Sequence, residues 1–140
     1  MSLDPRVEQK VRDSFARQTM MQTLGATMAA LGPGTCRITA PILPTSLQQQ
    51  GAGHGGLSFS IGDSAAGYAA LTLIPPEAEV MTVEMKINFM SPALGARLVA
   101  EGRVIRPGRR IMVVASDVWA EDEAGARRYV AVLQGTMIPV

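Results

Sequence analysis

The sequence predicts an α+β fold in which a long central helix is covered by an antiparallel sheet of about six strands. Two observations support this prediction. Residues 55 to about 73 form an apolar stretch of helical length that contains one charged residue, Asp63. After this stretch, apolar and polar residues alternate with the period of two that is typical of half-buried strands. A helix without a polar stripe must be covered on most sides, and a sheet can provide that cover.

The chain begins with a predicted amphipathic helix. Asp4 followed by Pro5 is a typical helix start, because Asp caps the first turn and Pro is tolerated in it. Val7, Val11 and Phe15 then recur at helical spacing. We therefore expect a helix from about residue 5 to roughly residue 22.

A hairpin and a loop connect the first helix to the central one. Strand-like patterns extend from residue 25 to about residue 41, and the turn sequence Gly32-Pro33-Gly34 interrupts them. Residues 41–53 show no periodicity, so we expect a loop there. The central helix follows, although glycines inside it lower its intrinsic propensity.

The second half of the chain predicts four strands. In the first of them Met81, Val83, Met85, Ile87 and Phe89 alternate with polar residues and form the expected buried face. The next strand includes residues 98–104 and ends at the turn sequence Pro107-Gly108. Residues 111–120 and 128–138 give the last two strands, with a turn at residues 122–125 between them.

Composition excludes several classes of function. Residues 1–140 are enough for one domain with a real core, and we predict a single domain. The net charge of +1 lacks the basic bias of nucleic-acid-binding proteins. Cys36 and His54 are the only cysteine and histidine, so we expect neither a disulfide framework nor a zinc site. Hydrophobic residues make up 47% of the chain, which mildly favours self-association.

The amino-terminal segment, residues 1–15, is charged throughout and lacks the apolar core of a signal peptide. Residues 57–74 form a weakly polar run, but it contains Asp63 and is barely long enough to cross a membrane. We therefore expect a cytoplasmic protein without a membrane partner.

The central helix carries the residues that suggest chemistry. His54-Gly55-Gly56 stands at its amino end, where unpaired N–H groups favour an oxygen that carries negative charge. Asp63 is an acid inside an apolar helix, where it would be costly without a polar partner. An oxyanion site and a base or nucleophile are the two parts that acyl transfer needs. The alternatives are an ordinary tight turn before a helix, and an aspartate that is partly exposed or paired with an arginine.

Gly55 and Asp63 are too far apart for one reacting carbon. Eight residues of helix span about 12 Å, and the backward lean of side chains shortens this by only a few ångströms. Either one of the two groups is catalytic, or Asp63 of one subunit meets Gly55 of another across a two-fold axis. The second possibility predicts a homo-oligomer with two equivalent mixed sites.

These motifs resemble those of the hotdog-fold thioesterases, specifically the phenylacetate-pathway (PaaI-like) group of acyl-CoA thioesterases. The matching residues are Gln48, His54-Gly55-Gly56, the segment at residues 63–67 and the segment at residues 81–93. The similarity covers residues 11 to about 137. It implies a long helix wrapped by an antiparallel sheet, dimers with a continuous sheet, and often dimers of dimers.

The resemblance also implies roles for individual residues. The Gly55 amide would bind the thioester oxygen, and His54 would shape that oxyanion pocket. Asp63 of the partner subunit would activate water or attack the carbonyl, while Gln48 helps to place the water. Thr82 would assist near the acid, but it lies opposite Met85 in the alternation, so a role in the subunit contact is the alternative.

The substrate implied is an acyl-CoA, with CoA as part of the substrate and no cofactor or metal. Its phosphates need positive partners, and the candidates are Arg106, Arg109 and Arg110 around one turn. Gly56 at the helix tip is a further candidate for substrate binding. The alternative for the arginines is a solvated turn. Two other functions remain open, namely hydration of an acyl-CoA on the same fold and non-catalytic binding or sensing of acyl-CoA.

Overall fold

The computed structural model describes residues 2–140 and confirms the predicted α+β architecture. In chain order the elements are α1 (Pro5–Arg17), α2 (Thr19–Leu24), β1 (Thr27–Gly32), β2 (Thr35–Pro41), a 3-10 turn (Pro44–Ser46), α3 (Gly55–Leu71), β3 (Val80–Phe89), β4 (Arg97–Arg106), β5 (Met112–Glu121) and β6 (Arg127–Pro139). The six strands form one antiparallel sheet in the order β1-β2-β4-β5-β6-β3. This sheet around the long helix α3 is the hotdog fold.

Helix α3 is held against the sheet by close backbone contacts. A Cβ atom at Gly102 would lie 2.3 Å from the Ala65 carbonyl, so only glycine allows β4 to come this near. On β5 the Ser116 hydroxyl, which is fully buried, donates to the Gly62 carbonyl over 2.6 Å. Gly62 in turn leaves room for the Leu133 side chain of β6. The helix that carries the candidate site is therefore fixed in position.

The predicted amino-terminal helix is two helices, so the prediction of one helix to residue 22 was wrong at its end. Asp4 caps α1 as expected, with its carboxylate accepting from the Arg6 amide over 2.8 Å. Helix α1 stops because Gln18 adopts an extended conformation, φ −77° and ψ 98°. Helix α2 then ends at Gly25, whose φ of 69° is the left-handed conformation that glycine favours.

A β-bulge changes the predicted faces of β3. The register with β6 shifts between Thr82 and Glu84, so one extra residue enters β3 at this point. Met81 and Val83 are consequently 56% and 57% exposed, whereas Thr82 turns toward α3. The expectation that Met81 and Val83 share a buried face with Met85 was wrong.

Phe89 also departs from that expected face, because it is 56% exposed at the end of the strand. None of the helices within residues 2–140 combines the length and apolar character needed to cross a bilayer.

Candidate active site

The amino-terminal tip of α3 offers one free backbone donor. His54 is the N-cap, and its Nδ1 accepts the Gly56 amide hydrogen over 2.8 Å. The Leu57 amide donates to the His54 carbonyl. The Gly55 amide, by contrast, has no acceptor among residues 2–140. A substrate oxygen at the tip would therefore meet the Gly55 N–H at the positive end of the helix dipole.

A cavity of about 440 Å³ adjoins this tip. Its apolar lining includes Phe89, whose ring lies so close to Gly55 that a Cβ there would stand 2.9 Å from the ring. Polar side chains in the lining include Gln48 and Ser58. Ser58 is 1% exposed, and its hydroxyl has no hydrogen-bond partner within the described chain.

Gln48 is fixed by its own loop. Its Oε1 accepts from the Gln50 amide over 2.5 Å and from the Ala52 amide over 3.3 Å. Its main-chain amide donates to the Ala52 carbonyl, which closes the same turn. The side chain is half-buried and lines the cavity at the tip, so the structure brings Gln48 and Gly55 together.

Asp63 is half-buried in the middle of α3 and has a specific partner. The Thr82 hydroxyl donates to its Oδ1 over 3.0 Å, across the bulge in β3. Burial raises the pKa of the Asp63 carboxyl above its usual value, and the hydrogen bond from Thr82 opposes this rise. No arginine pairs with Asp63 among residues 2–140. A carboxyl with a raised pKa in a cavity is a candidate for acid–base chemistry.

Two cavities, of about 140 Å³ and 470 Å³, adjoin Asp63. Gly55 lines neither of them, and Asp63 does not line the cavity at the tip. Both residues belong to one uninterrupted helix, so their separation along its axis is the expected value of about 12 Å. Within one chain the donor and the acid therefore face different cavities.

The three arginines lie at the other end of α3 from Gly55. Arg106 ends β4 and Arg109 and Arg110 occupy the following turn, where all three are exposed. Nearby in β4, the Val104 amide donates to Gly34, which packs against Leu73 just beyond the end of α3. None of the arginines lines the cavities of Gly55 or Asp63 in the same chain.

Sequence reasoning assigned no role in the site to two polar residues beside Asp63. Gln18 and Ser64 line both of its cavities, and the Ser64 hydroxyl donates to Gln18 Oε1 over 3.4 Å. A signal for Gln18 was present, because it falls on the inward stripe that Val11 and Met21 mark at helical spacing. A polar residue on such a stripe is a reason to expect a polar neighbour.

The arrangement supplies an acid or base at one place and a hydrogen-bond donor for an oxyanion at another. Within residues 2–140, no group of three or more His, Cys, Asp or Glu side chains is placed to hold a metal ion. A carboxylate and a backbone donor are sufficient for acyl transfer on an activated ester or thioester.

Comparison with known proteins agrees with this chemistry. A family model described as the thioesterase superfamily matches residues 50–126, which is more than half of the chain. A Saccharolobus solfataricus protein that carries an esterase name is 32% identical over 113 residues, covering 81% of this chain and 73% of that protein. The chain therefore belongs to the thioesterase superfamily and is a thioester hydrolase.

Solved structures share the fold. A thioesterase family protein from Silicibacter pomeroyi is 41% identical with a TM-score of 0.93, covering 96% of this chain and 98% of that one. The E. coli PaaI protein from the phenylacetic acid degradation operon has a TM-score of 0.86 at 20% identity, covering 99% and 96% of the two chains. At 20% identity, the likeness to the PaaI protein is a likeness of fold.

Proposed function

We propose that the protein hydrolyses acyl-CoA thioesters, including aryl-acyl-CoA thioesters, to the free acid and CoA. The observation that carries the proposal is Asp63, a half-buried acid that Thr82 holds on the apolar helix of a thioesterase fold. The family supplies the reaction class, and this carboxyl is the side chain best suited to perform it. The acyl-CoA substrate and the fold of PaaI together suggest the PaaI-like group.

In the proposed reaction the Gly55 amide donates to the thioester oxygen. The Asp63 carboxylate either takes a proton from water as the water attacks, or attacks the carbonyl itself. On the first route the tetrahedral intermediate breaks its carbon–sulfur bond to give the acid, and Asp63 passes the proton taken from water to the CoA sulfur. On the second route the same bond breaks to leave an acyl-Asp63 anhydride and the CoA thiolate. Water then cleaves the anhydride to the acid, which restores Asp63 and supplies the proton for the thiolate. A general base contributes about 10²–10⁴-fold to such a rate, and one oxyanion donor about 10²–10³-fold. No cofactor takes part.

The proposed site is shared between two copies of the chain, as a dimer or a dimer of dimers. The free donor and the acid lie about 12 Å apart along one rigid helix and face separate cavities. If two α3 helices lie antiparallel across a two-fold axis, each Gly55 meets the Asp63 of the other copy, and two equivalent sites result.

The remaining site residues support these two groups in the proposal. His54 holds the tip by accepting from Gly56, which leaves the Gly55 amide for the substrate. Gln48 lines the cavity at the tip and places the water there. The CoA phosphates would be bound by Arg106, Arg109 and Arg110 of a neighbouring copy. We place the reaction in the cytoplasm, where CoA thioesters are made and used.

The test is release of free thiol from a panel of CoA thioesters by wild type and by Asp63→Asn. We expect turnover to fall about 10²–10⁴-fold in this variant. The matched control is Asp13→Asn, because Asp13 is an exposed carboxylate on α1 that accepts from Gln9. Equal rates for wild type and Asp63→Asn would remove Asp63 from the mechanism.

Folding of the variant is checked in the same samples. Because burial raises the pKa of Asp63 in the folded state, the ionised carboxylate lowers stability as pH rises above the usual pKa of an aspartate. Replacing it with neutral Asn therefore leaves the thermal midpoint at pH 7 equal to or above that of wild type. A midpoint close to the assay temperature would mean that the lost activity reflects unfolding.

Two further readouts separate the alternatives. Loss of ultraviolet absorbance from a crotonyl thioester without thiol release would identify a hydratase. Saturable binding of CoA thioesters without turnover across the panel would identify a binding module.

A further inference from the structure

Gln18 stands at the one break in the amino-terminal helical segment. Its extended conformation separates α1 from α2, and its side chain is half-buried rather than exposed. The side chain reaches α3, where its Oε1 accepts from the Ser64 hydroxyl over 3.4 Å. Ser64 is the neighbour of Asp63 in the chain, so this contact brings the Gln18 amide to the segment that carries the acid.

Gln18 shares both of the cavities that adjoin Asp63. It lines the 140 Å³ cavity together with Thr82, and it lines the 470 Å³ cavity together with Phe59. Among the lining residues only Gln18, Asp63 and Ser64 are common to both cavities. The amide of Gln18 is therefore placed between the two spaces through which the carboxylate can be approached.

The hydrogen bonds around Asp63 leave one position open. The Thr82 hydroxyl occupies Oδ1, and Oδ2 accepts from no residue within 2–140. The Gln18 amide has its oxygen engaged by Ser64, which leaves the Nε2 group with two hydrogens to donate. A free acceptor and a free donor thus line the same two cavities.

We propose that Gln18 is a positioning residue for Asp63, donating from Nε2 to the Oδ2 of the carboxylate directly or through one water. With Thr82 on one oxygen and Gln18 on the other, the carboxylate is held in a single orientation toward the thioester of the partner copy. This inference rests on the proposed function, because it assigns Gln18 a part in orienting the proposed base. It also assigns α1 and α2 a role in the site beyond covering the sheet.

Other groups face Asp63 and must be considered with Gln18. The titratable side chains that line its cavities are Arg17 from α1, Tyr68 from α3 and Glu79 from the segment before β3. None of them donates a hydrogen bond to Asp63, and Tyr68 is engaged with Ser14. A change confined to the uncharged Gln18 therefore leaves their charges in place.

The first test is Gln18→Leu in the full chain, measured as kcat, KM and the pH dependence of kcat/KM. We expect kcat to fall about tenfold with little change in KM, since one hydrogen bond to a charged group is lost. The carboxylate form loses a donor, so the acid limb of the profile moves to higher pH. A structural role alone would lower the thermal midpoint without moving this limb.

Gln18→Glu provides a second variant of the same shape. Its negative charge beside Asp63 disfavours ionisation of the aspartate, so we expect the acid limb to move further upward than in Gln18→Leu. The matched control is Gln9→Leu, because Gln9 is an exposed glutamine on α1 whose Nε2 donates to Asp13 over 2.8 Å. This control keeps the wild-type profile.

A carbon NMR titration of the Asp63 carboxyl in wild type and Gln18→Leu gives a readout that does not need turnover. A higher midpoint in the variant supports the inference even if Asp63→Asn shows that the acid is not catalytic. Unchanged midpoints and an unchanged acid limb in a folded Gln18→Leu protein would overturn it.

Discussion

Helix α3 carries two candidate functional regions, and they differ in charge, burial and the polarity of their surroundings. The tip is a donor region, with His54 exposed, glycine at the next two positions, one free amide and a largely apolar cavity. The region around Asp63 is an acceptor region, half-buried and surrounded by polar side chains. One region suits a developing negative charge and the other suits a base.

The difference shows how one helix can carry a free donor and a carboxylate that do not bind each other. A carboxylate placed at the tip would accept from the free amide itself and occupy the position that a substrate oxygen needs. A separation of about 12 Å along one rigid helix keeps each group available. In the proposed reaction this separation calls for a second chain, since one thioester carbon cannot contact both regions of the same helix.

Apart from Asp63→Asn, the largest effect is expected at the tip. Gly55→Pro replaces the free amide hydrogen with a ring carbon and adds a Cβ, and the helix itself is preserved because proline is well tolerated at its first position. The preceding His54 already has the extended conformation that proline requires, with φ −62° and ψ 142°. We expect kcat to fall about 10²–10³-fold, measured by thiol release.

The control for this variant is Gly55→Ala, which adds a Cβ in the same place but keeps the N–H. The new Cβ meets the ring of Phe89, a 56% exposed side chain that is free to swing away. The loss of kcat in Gly55→Ala should therefore be much smaller than in Gly55→Pro. Equal turnover in the two variants would show that the amide hydrogen has no catalytic role.

A smaller effect is expected from the partner of the acid. Thr82→Val removes the hydrogen bond that opposes the rise in the pKa of Asp63, so this pKa increases further. In the proposed reaction the carboxylate is the active form, so activity is lost as pH falls through that pKa. The acid limb of kcat/KM should therefore move to higher pH, and kcat/KM at any pH on that limb should fall below the wild-type value.

Thr136→Val is the matched control for Thr82. Thr136 lies on the neighbouring strand β6, and its hydroxyl donates to an exposed carboxylate, Glu84 Oε1, over 2.8 Å. Its removal should leave the pH profile unchanged. If both valine variants behave alike, the contact between Thr82 and Asp63 does not tune the acid.

The smallest effect is expected from the helix cap. His54→Ala leaves the Gly56 amide without its acceptor, and loss of a cap lowers the free energy of unfolding by about 1 kcal/mol. His54→Asn retains a side-chain acceptor at the N-cap and should recover most of this stability. Urea denaturation of the two variants measures the difference, and a wild-type midpoint for His54→Ala would contradict the role as a cap.

Regular periodicity made most of the fold predictable from the sequence. The predictions failed where the structure departs locally from regular helix or strand. The apolar helix with one charge and the alternating strands predicted the sheet around α3. The bulge beside Thr82 could not be predicted, because register depends on how β3 pairs with β6. The break at Gln18 was missed for a similar reason, since helical spacing continues through it while the contact with Ser64 lies far along the chain.

The residues of the candidate site likewise include some that the sequence could predict and some that it could not. Local sequence placed Gly55 at a helix tip and Asp63 in the helix, because both depend on residues nearby in the chain. The alternation around Thr82 left its role open, and the structure places its hydroxyl on Asp63. Gln18 is 45 residues from Asp63 in sequence and lines the same cavity only through tertiary packing.

Mixing two inactive variants tests the shared site most directly. Asp63→Asn retains the tip and Gly55→Pro retains the acid, so a mixed dimer of the two contains one intact site. After co-refolding at equal concentrations, half of the dimers should be mixed, and thiol release should return to about a quarter of the wild-type rate. A mixture that stays as inactive as the separate variants, although mixed dimers form, would place both groups in a site within one chain and contradict the account.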